Sequence, residues 1–239
     1  MSIKERIGME NTQPKRKRIF LRILAVIAAV LLLLFAVLRA THIILLVNGC
    51  YTTCFATEVS GGMQVSELIY MKRLKSLNLR TGFSPDHSTD DDLLDVDFLT
   101  KLTKLEDLYL WREVEDPGKI NKIPSLKNSP NLYRVNILEA SVDDLDFISE
   151  NTALKDLTIH SYLSGVKDIS GLRNKPVLER LTLWNADCTD FSVLTELPEL
   201  KDLIVIGSMI PDDIRSELIN RGVQVDNYPT YAEYYEANK

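Results

Sequence analysis

Six short segments of the chain share one order of apolar and polar positions: LKSLNL from Leu74, LEDLYL from Leu105, LYRVNI from Leu132, LKDLTI from Leu154, LERLTL from Leu178 and LKDLIV from Leu200. Apolar residues stand at the first, fourth and sixth places. The last two follow the alternation of a strand, in which every second side chain points to the same face. The segment starts are separated by 31, 27, 22, 24 and 22 residues, so the unit is 22 residues with insertions of nine, five and two. A fixed period of this size predicts stacked repeats, each too small to bury its own leucines alone.

The other half of each unit repeats as well: LLDVDFLTKLTKL, INKIPSLKNSPNL, VDDLDFISENTAL, VKDISGLRNKPVL and CTDFSVLTELPEL. Asp97, Asp146, Ser170 and Ser192 stand at the expected start of a helical turn, and Pro124 takes that place in the second copy. Asp and Ser accept hydrogen bonds from the free N–H groups of a helix start, so the spacing predicts a short helix or 3₁₀ turn after each strand.

These units resemble the leucine-rich repeat family, specifically the 22-residue class of bacterial internalin-like surface proteins and of phosphatase regulatory subunits. The resemblance covers about residues 60–222. It implies an α/β solenoid with a parallel β-sheet on the concave face, short helices or 3₁₀ turns on the convex face, and a protein or peptide partner on the concave side. Members usually carry Asn just after the strand, bridging neighbouring coils. Here those positions are Gly82, Glu113, Ala140, Tyr162, Ala186 and Ser208, so no Asn ladder is expected there.

Alternation sends the last two apolar positions of each segment inward and sets the residues around them on the concave face. Three columns result. Between the inward positions lie Asn78, Tyr109, Asn136, Thr158, Thr182 and Ile204; after them lie Arg80, Trp111, Leu138, His160, Trp184 and Ile206; before them lie Ser76, Asp107, Arg134, Asp156, Arg180 and Asp202. The second column is unusually apolar for a water-facing sheet, with neighbours about 5 Å apart. Two readings stay open: a contact site, since exposed apolar patches and Trp mark interfaces, or packing against the protein's own loops. The expected partner-binding residues are Arg80, Tyr109, Trp111, Asn136, Leu138, His160, Trp184 and Ile206. The third column alternates in sign, which reads as a ladder of surface ion pairs.

Ahead of the repeats, Ile19 to Leu38 is an apolar run in which Arg22 is the only charge. About 20 apolar residues suffice to span a bilayer. Residues 1–39 hold eight Lys or Arg against two Glu, a charge of +6, whereas the remaining chain holds 20 basic and 32 acidic residues. With Lys15, Arg16, Lys17, Arg18 and Arg22 before the run, the positive-inside tendency puts the N-terminus in the cytoplasm and the repeats outside, most naturally on a bacterial surface. The acidic outer part argues against a nucleic-acid partner. The expected organisation is a basic cytoplasmic tail (1–18), a transmembrane or signal-anchor segment (19–47, core 19–38), an N-terminal cap (48–73), the repeats (74–222) and a C-terminal cap and tail (223–239).

A second apolar run, Ile43 to Val47, either extends the span or lies along the interface. Alternatively, VNGC, ending at Cys50, loosely resembles a lipobox, which would make Cys50 a lipidation site. Cys50 and Cys54 could form a disulfide only if the chain loops between them, and Cys188 stands apart. The insertion TGFSPDHSTDDDLLDVD holds Asp86, Asp90, Asp91, Asp92, Asp95 and Asp97 but lacks the ligand spacing of a calcium loop, and reads as a solvated acidic lip. In the tail, Tyr231, Tyr234 and Tyr235 stand at helical spacing, suited to packing over the last coil or to separate recognition.

The three histidines, His42, His87 and His160, have no catalytic partners at recognisable spacing, and no nucleophile elbow, phosphate loop or zinc signature occurs. No enzyme, cofactor or metal is expected. The chain reads as a membrane-anchored binding scaffold; the alternative is an assembly component acting through self-association or lateral docking.

Overall fold

The computed structural model describes residues 13–47, 50–61, 67–81, 96–112, 123–140, 142–161 and 165–239. The acidic insertion after Thr81, apart from Val96 and Asp97, lies outside these residues. The chain divides into two units, Met1–Leu45 and Leu46–Lys239.

The first unit is dominated by one helix, α1 (Gln13–Ala40), in which Lys17–Ala40 is long and apolar enough to cross a membrane. A signal sequence has the same character. Side chains such as Leu31, Leu32 and Leu33 are exposed on every side, as expected for a helix built for an apolar solvent. The helix stops because His42 adopts left-handed backbone (φ 55°), and the Ile43 N–H then closes back on the Leu38 carbonyl at 2.9 Å. Arg39 donates from Nη1 to the Ile44 carbonyl, 2.8 Å. The second apolar run therefore does not continue the helix: Ile44–Val47 is a short strand, β1.

In the second unit, β2 (Cys50–Thr53) leads to an eight-stranded parallel sheet. Its strands are β3 (Glu58–Gly61), β4 (Ser76–Thr81), β5 (Asp107–Arg112), β6 (Arg134–Ala140), β7 (Asp156–Ser161), β8 (Arg180–Trp184), β9 (Asp202–Ile206) and β10 (Gln224–Tyr228), stacked in chain order. The six repeat segments supply β4 to β9. β3 adds a strand at one edge, from the expected cap, and β10 adds one at the other, after a helix α2 (Asp212–Asn220). A last helix, α3 (Tyr231–Ala237), follows β10. Cys54 is a free thiol.

Every inward position of β4 to β9 is at most 3% exposed, from Leu77 and Leu79 through Leu203 and Val205. The opposite wall of the core comes from 3₁₀ turns at Val96–Lys101, Asp146–Ile148, Ser170–Leu172 and Ser192–Glu196. The residues expected to cap these turns do not do so. Asp146, Ser170 and Ser192 instead open the turns, and their N–H groups donate to carboxylates two residues earlier: Asp144 at 3.0 Å, Asp168 at 2.7 Å and Asp190 at 2.8 Å. A carboxylate two residues back forms an Asx turn that satisfies the donor equally well. The Ser192 N–H bond also holds the Asp190 carboxyl below its usual range. Asp97 likewise lies inside its turn, and the copy opening at Pro124 forms no 3₁₀ turn.

Coils are bridged by polar side chains, although not at the family's usual place. Three residues before the first leucine of successive units stand Ser129, Asn151 and Lys175. Ser129 Oγ donates to the Leu102 carbonyl (2.7 Å); Asn151 Nδ2 donates to Leu126 and Ser129 carbonyls (both 3.0 Å); Lys175 Nζ donates to the Ser149 carbonyl (2.8 Å). Each bridge satisfies carbonyls that the turn leaves open. At the last coil Arg221 does the same for the Thr195 carbonyl at 2.9 Å, and for that of Leu197. Backbone also approaches closely at Gly171, where a Cβ would stand 2.1 Å from the Leu145 carbonyl oxygen.

Candidate functional site

Parallel pairing in register carries each outward column straight across the sheet. Arg80 pairs with Trp111, Trp111 with Leu138, Leu138 with His160, His160 with Trp184 and Trp184 with Ile206. The column ends at Tyr228 on β10, a member that strand spacing in the repeats alone does not reveal. Beside it runs the second column, Asn78, Tyr109, Asn136, Thr158, Thr182 and Ile204, every member half-buried. Of the expected partner-binding residues, only the Arg80 side chain lies outside the described residues, as does that of Cys50.

The C-terminal half of the apolar column is covered by the protein's own tail. Tyr231 of α3 places its hydroxyl 2.8 Å from Nε2 of His160, and its ring centroid lies 5.8 Å from that imidazole and 5.7 Å from Trp184. Tyr234, one turn on, sits 5.0 Å from Trp184 and 5.4 Å from Tyr228. These tilted and edge-on arrangements suit aromatic quadrupoles. Ile206 is 0% exposed, so its expected place on an open surface is corrected: it belongs to the outward column but is sealed in. The three tail tyrosines also divide their work. Tyr231 and Tyr234 face the sheet, whereas Tyr235 is 57% exposed.

Behind the Tyr231 contact lies a second layer. Nδ1 of His160 stands 3.1 Å from Oε1 of Glu139. With Nδ1–H donating to that carboxylate, Nε2 is left to accept from the Tyr231 hydroxyl. Burial lowers the His160 pKa, partly offset by the Glu139 charge; burial, Glu139 and Tyr235 together push the Tyr231 hydroxyl up to about 12. Glu139 reaches His160 from an irregularity: its φ is +62°, and the β6–β7 register shifts between Leu138 and Ala140. Ser161 gives His160 no nucleophile, because it points to the opposite face and exchanges bonds of 3.2 Å with Val142 N–H and carbonyl.

The third column resolves into discrete pairs rather than a continuous ladder. Arg134 meets Asp107 through two bonds, 3.0 and 2.8 Å, and Arg180 meets Asp156 at 3.0 and 2.8 Å. One residue earlier, Lys75 pairs with Glu106 (2.7 Å) and Lys201 with Glu179 (2.8 Å), a column the sequence reading did not single out. Among the described residues no three His, Cys, Asp or Glu gather where a metal could be held.

No family model matches the chain, and no curated protein does. Solved structures do. An internalin (inlF) from Listeria monocytogenes is similar over 76% of this chain with 18% identity and a TM-score of 0.58, while the chain spans about half, 52%, of that protein. An internalin C2 (inlC2) from the same organism is similar over 74% of this chain and 84% of its own, with 18% identity and a TM-score of 0.51. Together with the eight stacked parallel strands and their 3₁₀ turns, these likenesses establish a leucine-rich repeat solenoid of internalin-like fold.

Proposed function

We propose that the chain is a non-catalytic, membrane-anchored binding scaffold that presents the concave face of its repeats to a protein partner. The observation that carries this reading is the in-register column Trp111, Leu138, His160 and Trp184, aromatic and aliphatic on a face where water-facing sheets are polar. Tyr109 and Asn136 flank it with a hydroxyl and an amide able to set orientation. The similar internalins support the fold of such a scaffold.

The anchor is α1, retained. Its apolar run, Ile19 to Leu38, exceeds the 7–15 apolar residues of a signal-peptide core, and the basic residues in the first turns of the helix keep the N-terminus inside. The repeats then stand outside the membrane, with the short β1 and β2 strands between anchor and sheet. An uncleaved chain of the same size with and without globomycin, and absence of lipid labelling at Cys50, are the expected results.

Crosslinking in native membranes tests the binding role. Partner adducts obtained with the wild-type protein should fall at least tenfold with Trp111→Ala combined with Leu138→Ala. Unchanged adducts would remove the concave face as the binding surface, and adducts consisting only of a second copy would point to self-assembly.

A further inference from the structure

α3 is an unusual closing element. It has seven residues, none buried, and isolated helices below about 12 residues are marginal in water. Its helical form depends on the Thr230 side chain, which accepts from the Glu233 N–H, and on the two tyrosine rings set against the sheet. The contact is specific at one atom. A purely apolar cover would need only rings, whereas Tyr231 presents a hydroxyl to a nitrogen whose partner atom is fixed by Glu139. A half-buried acceptor of this kind favours a phenol over a phenyl ring, because a phenyl leaves the acceptor unpaired.

The carboxylate behind it is aimed by strained backbone. Glu139 is in the left-handed region, which disfavours a residue with a Cβ, and sits at a break in sheet register. A bulge of this kind re-aims the side chain. The same left-handed backbone follows the column at Asn185 (φ 59°) and Gly207 (φ 111°), so the turn belongs to the coil; what is particular to β6 is that it carries a carboxylate, held 3.1 Å from His160.

Resting on the binding-scaffold reading, we propose that Glu139, His160 and Trp184 form a tyrosine-recognition pocket on the concave face, that α3 is its resident occupant, and that a protein partner displaces α3 with a tyrosine-bearing amphipathic helix. The geometry sets the requirements on that helix. It carries tyrosines three residues apart, as Tyr231 and Tyr234 are. Tyr228 to Trp111 is five strand steps, about 24 Å, whereas seven helical residues reach only about 10 Å. A helix of about 16 residues lies along the column from Tyr228 to Trp111 and adds Leu138 and Trp111 to the surface it engages, which is its advantage over the short α3. Continuity of the column beyond the α3 contact is thus what lets a partner win.

The test uses the full-length protein in detergent and, as probe, a fluorescein-labelled peptide of its own residues 229–239. With Tyr231→Ala and Tyr234→Ala in the protein, the pocket is vacated and the peptide should bind saturably, at least tenfold tighter than to wild type. Adding His160→Gln, or placing Phe at the first tyrosine of the peptide, should weaken that binding at least fivefold. In wild type, excess peptide should speed amide exchange across residues 231–237, a measurement that stands even where the double variant folds poorly. Equal binding to wild type and to a folded double variant, equal binding of the Phe peptide, or unchanged exchange in wild type would overturn the pocket. Such a failure with partner crosslinks still dependent on Trp111 and Leu138 leaves the scaffold role intact, whereas loss of that dependence defeats the scaffold role itself.

Discussion

Tyr231 and His160, 71 residues apart in the chain, share a 2.8 Å hydrogen bond on the outward face of the sheet. That bond ties the last helix to the middle of the sheet and converts what would be an open apolar stripe into one whose C-terminal half is covered. It also makes the docked state of the tail sensitive to protons.

Acid should loosen α3. Burial under the tail lowers the His160 pKa from its ordinary value of 6.5, so the docked state holds fewer protons than the undocked one below that pH. Docking is therefore fully favoured above about 6.5 and weakens as pH falls through the lowered value. The groups facing His160 are Glu139 on β6, Trp184 on β8 and Tyr231 on α3; of these, Glu139 limits the effect by favouring the charged imidazole. Amide exchange of residues 231–237, corrected for its intrinsic pH dependence, should accelerate between pH 7 and 5 in wild type and stay flat in His160→Gln.

Close stacking of coils makes Gly171 harder to replace than Gly165, Gly207 or Gly222. A Cβ there would meet the Leu145 carbonyl oxygen at 2.1 Å, backbone that cannot swing away. Gly171→Ala should cost roughly 3 kcal/mol, at the upper end of overpacking effects. Gly222→Ala is the control: its φ is +88° but nothing lies within 4 Å, so only the backbone preference is lost, about 1 kcal/mol. Urea unfolding of both variants compares them directly.

The wall of the solenoid was legible in the sequence because burial imposes it. Leu77, Leu79 and their counterparts must repeat for the coils to stack, whatever else changes. Capping was misplaced by two residues because LDFI, ISGL and FSVL each begin after an Asp, so two capping-type residues compete and spacing alone does not choose between them. The bridges at Ser129, Asn151 and Lys175 were hidden for a different reason: three unlike side chains do one job, so no residue type repeats. The Tyr231 contact is set by how far the tail folds back after β10, which no local pattern encodes.

Bridges between coils should outweigh the surface pairs. Asn151→Ala removes both donors to the Leu126 and Ser129 carbonyls and leaves buried acceptors unpaired, at about 3 kcal/mol. Arg180→Ala deletes an exposed pair with Asp156 and should cost no more than about 1 kcal/mol. Comparable losses in thermal or urea unfolding would contradict the assignment of inter-coil cohesion to the buried bridges.

Lys175 should give the fold a pH dependence in the alkaline range. The side chain is 1% exposed, and burial lowers its pKa from 10.5 to about 8. Between those values the unfolded chain holds a proton that the folded one has released, so stability rises with pH there and the penalty for the buried charge is full below about 8. Two carbonyls, Ser149 and Arg173, soften that penalty by accepting from Nζ. Lys175→Met has no such proton to lose. The difference in unfolding free energy between wild type and Lys175→Met should therefore shift in favour of wild type from pH 7.5 to 10 and be constant from pH 6 to 7.5; a difference that is constant over the whole range would mean that the ammonium group keeps its charge and finds its partners without cost.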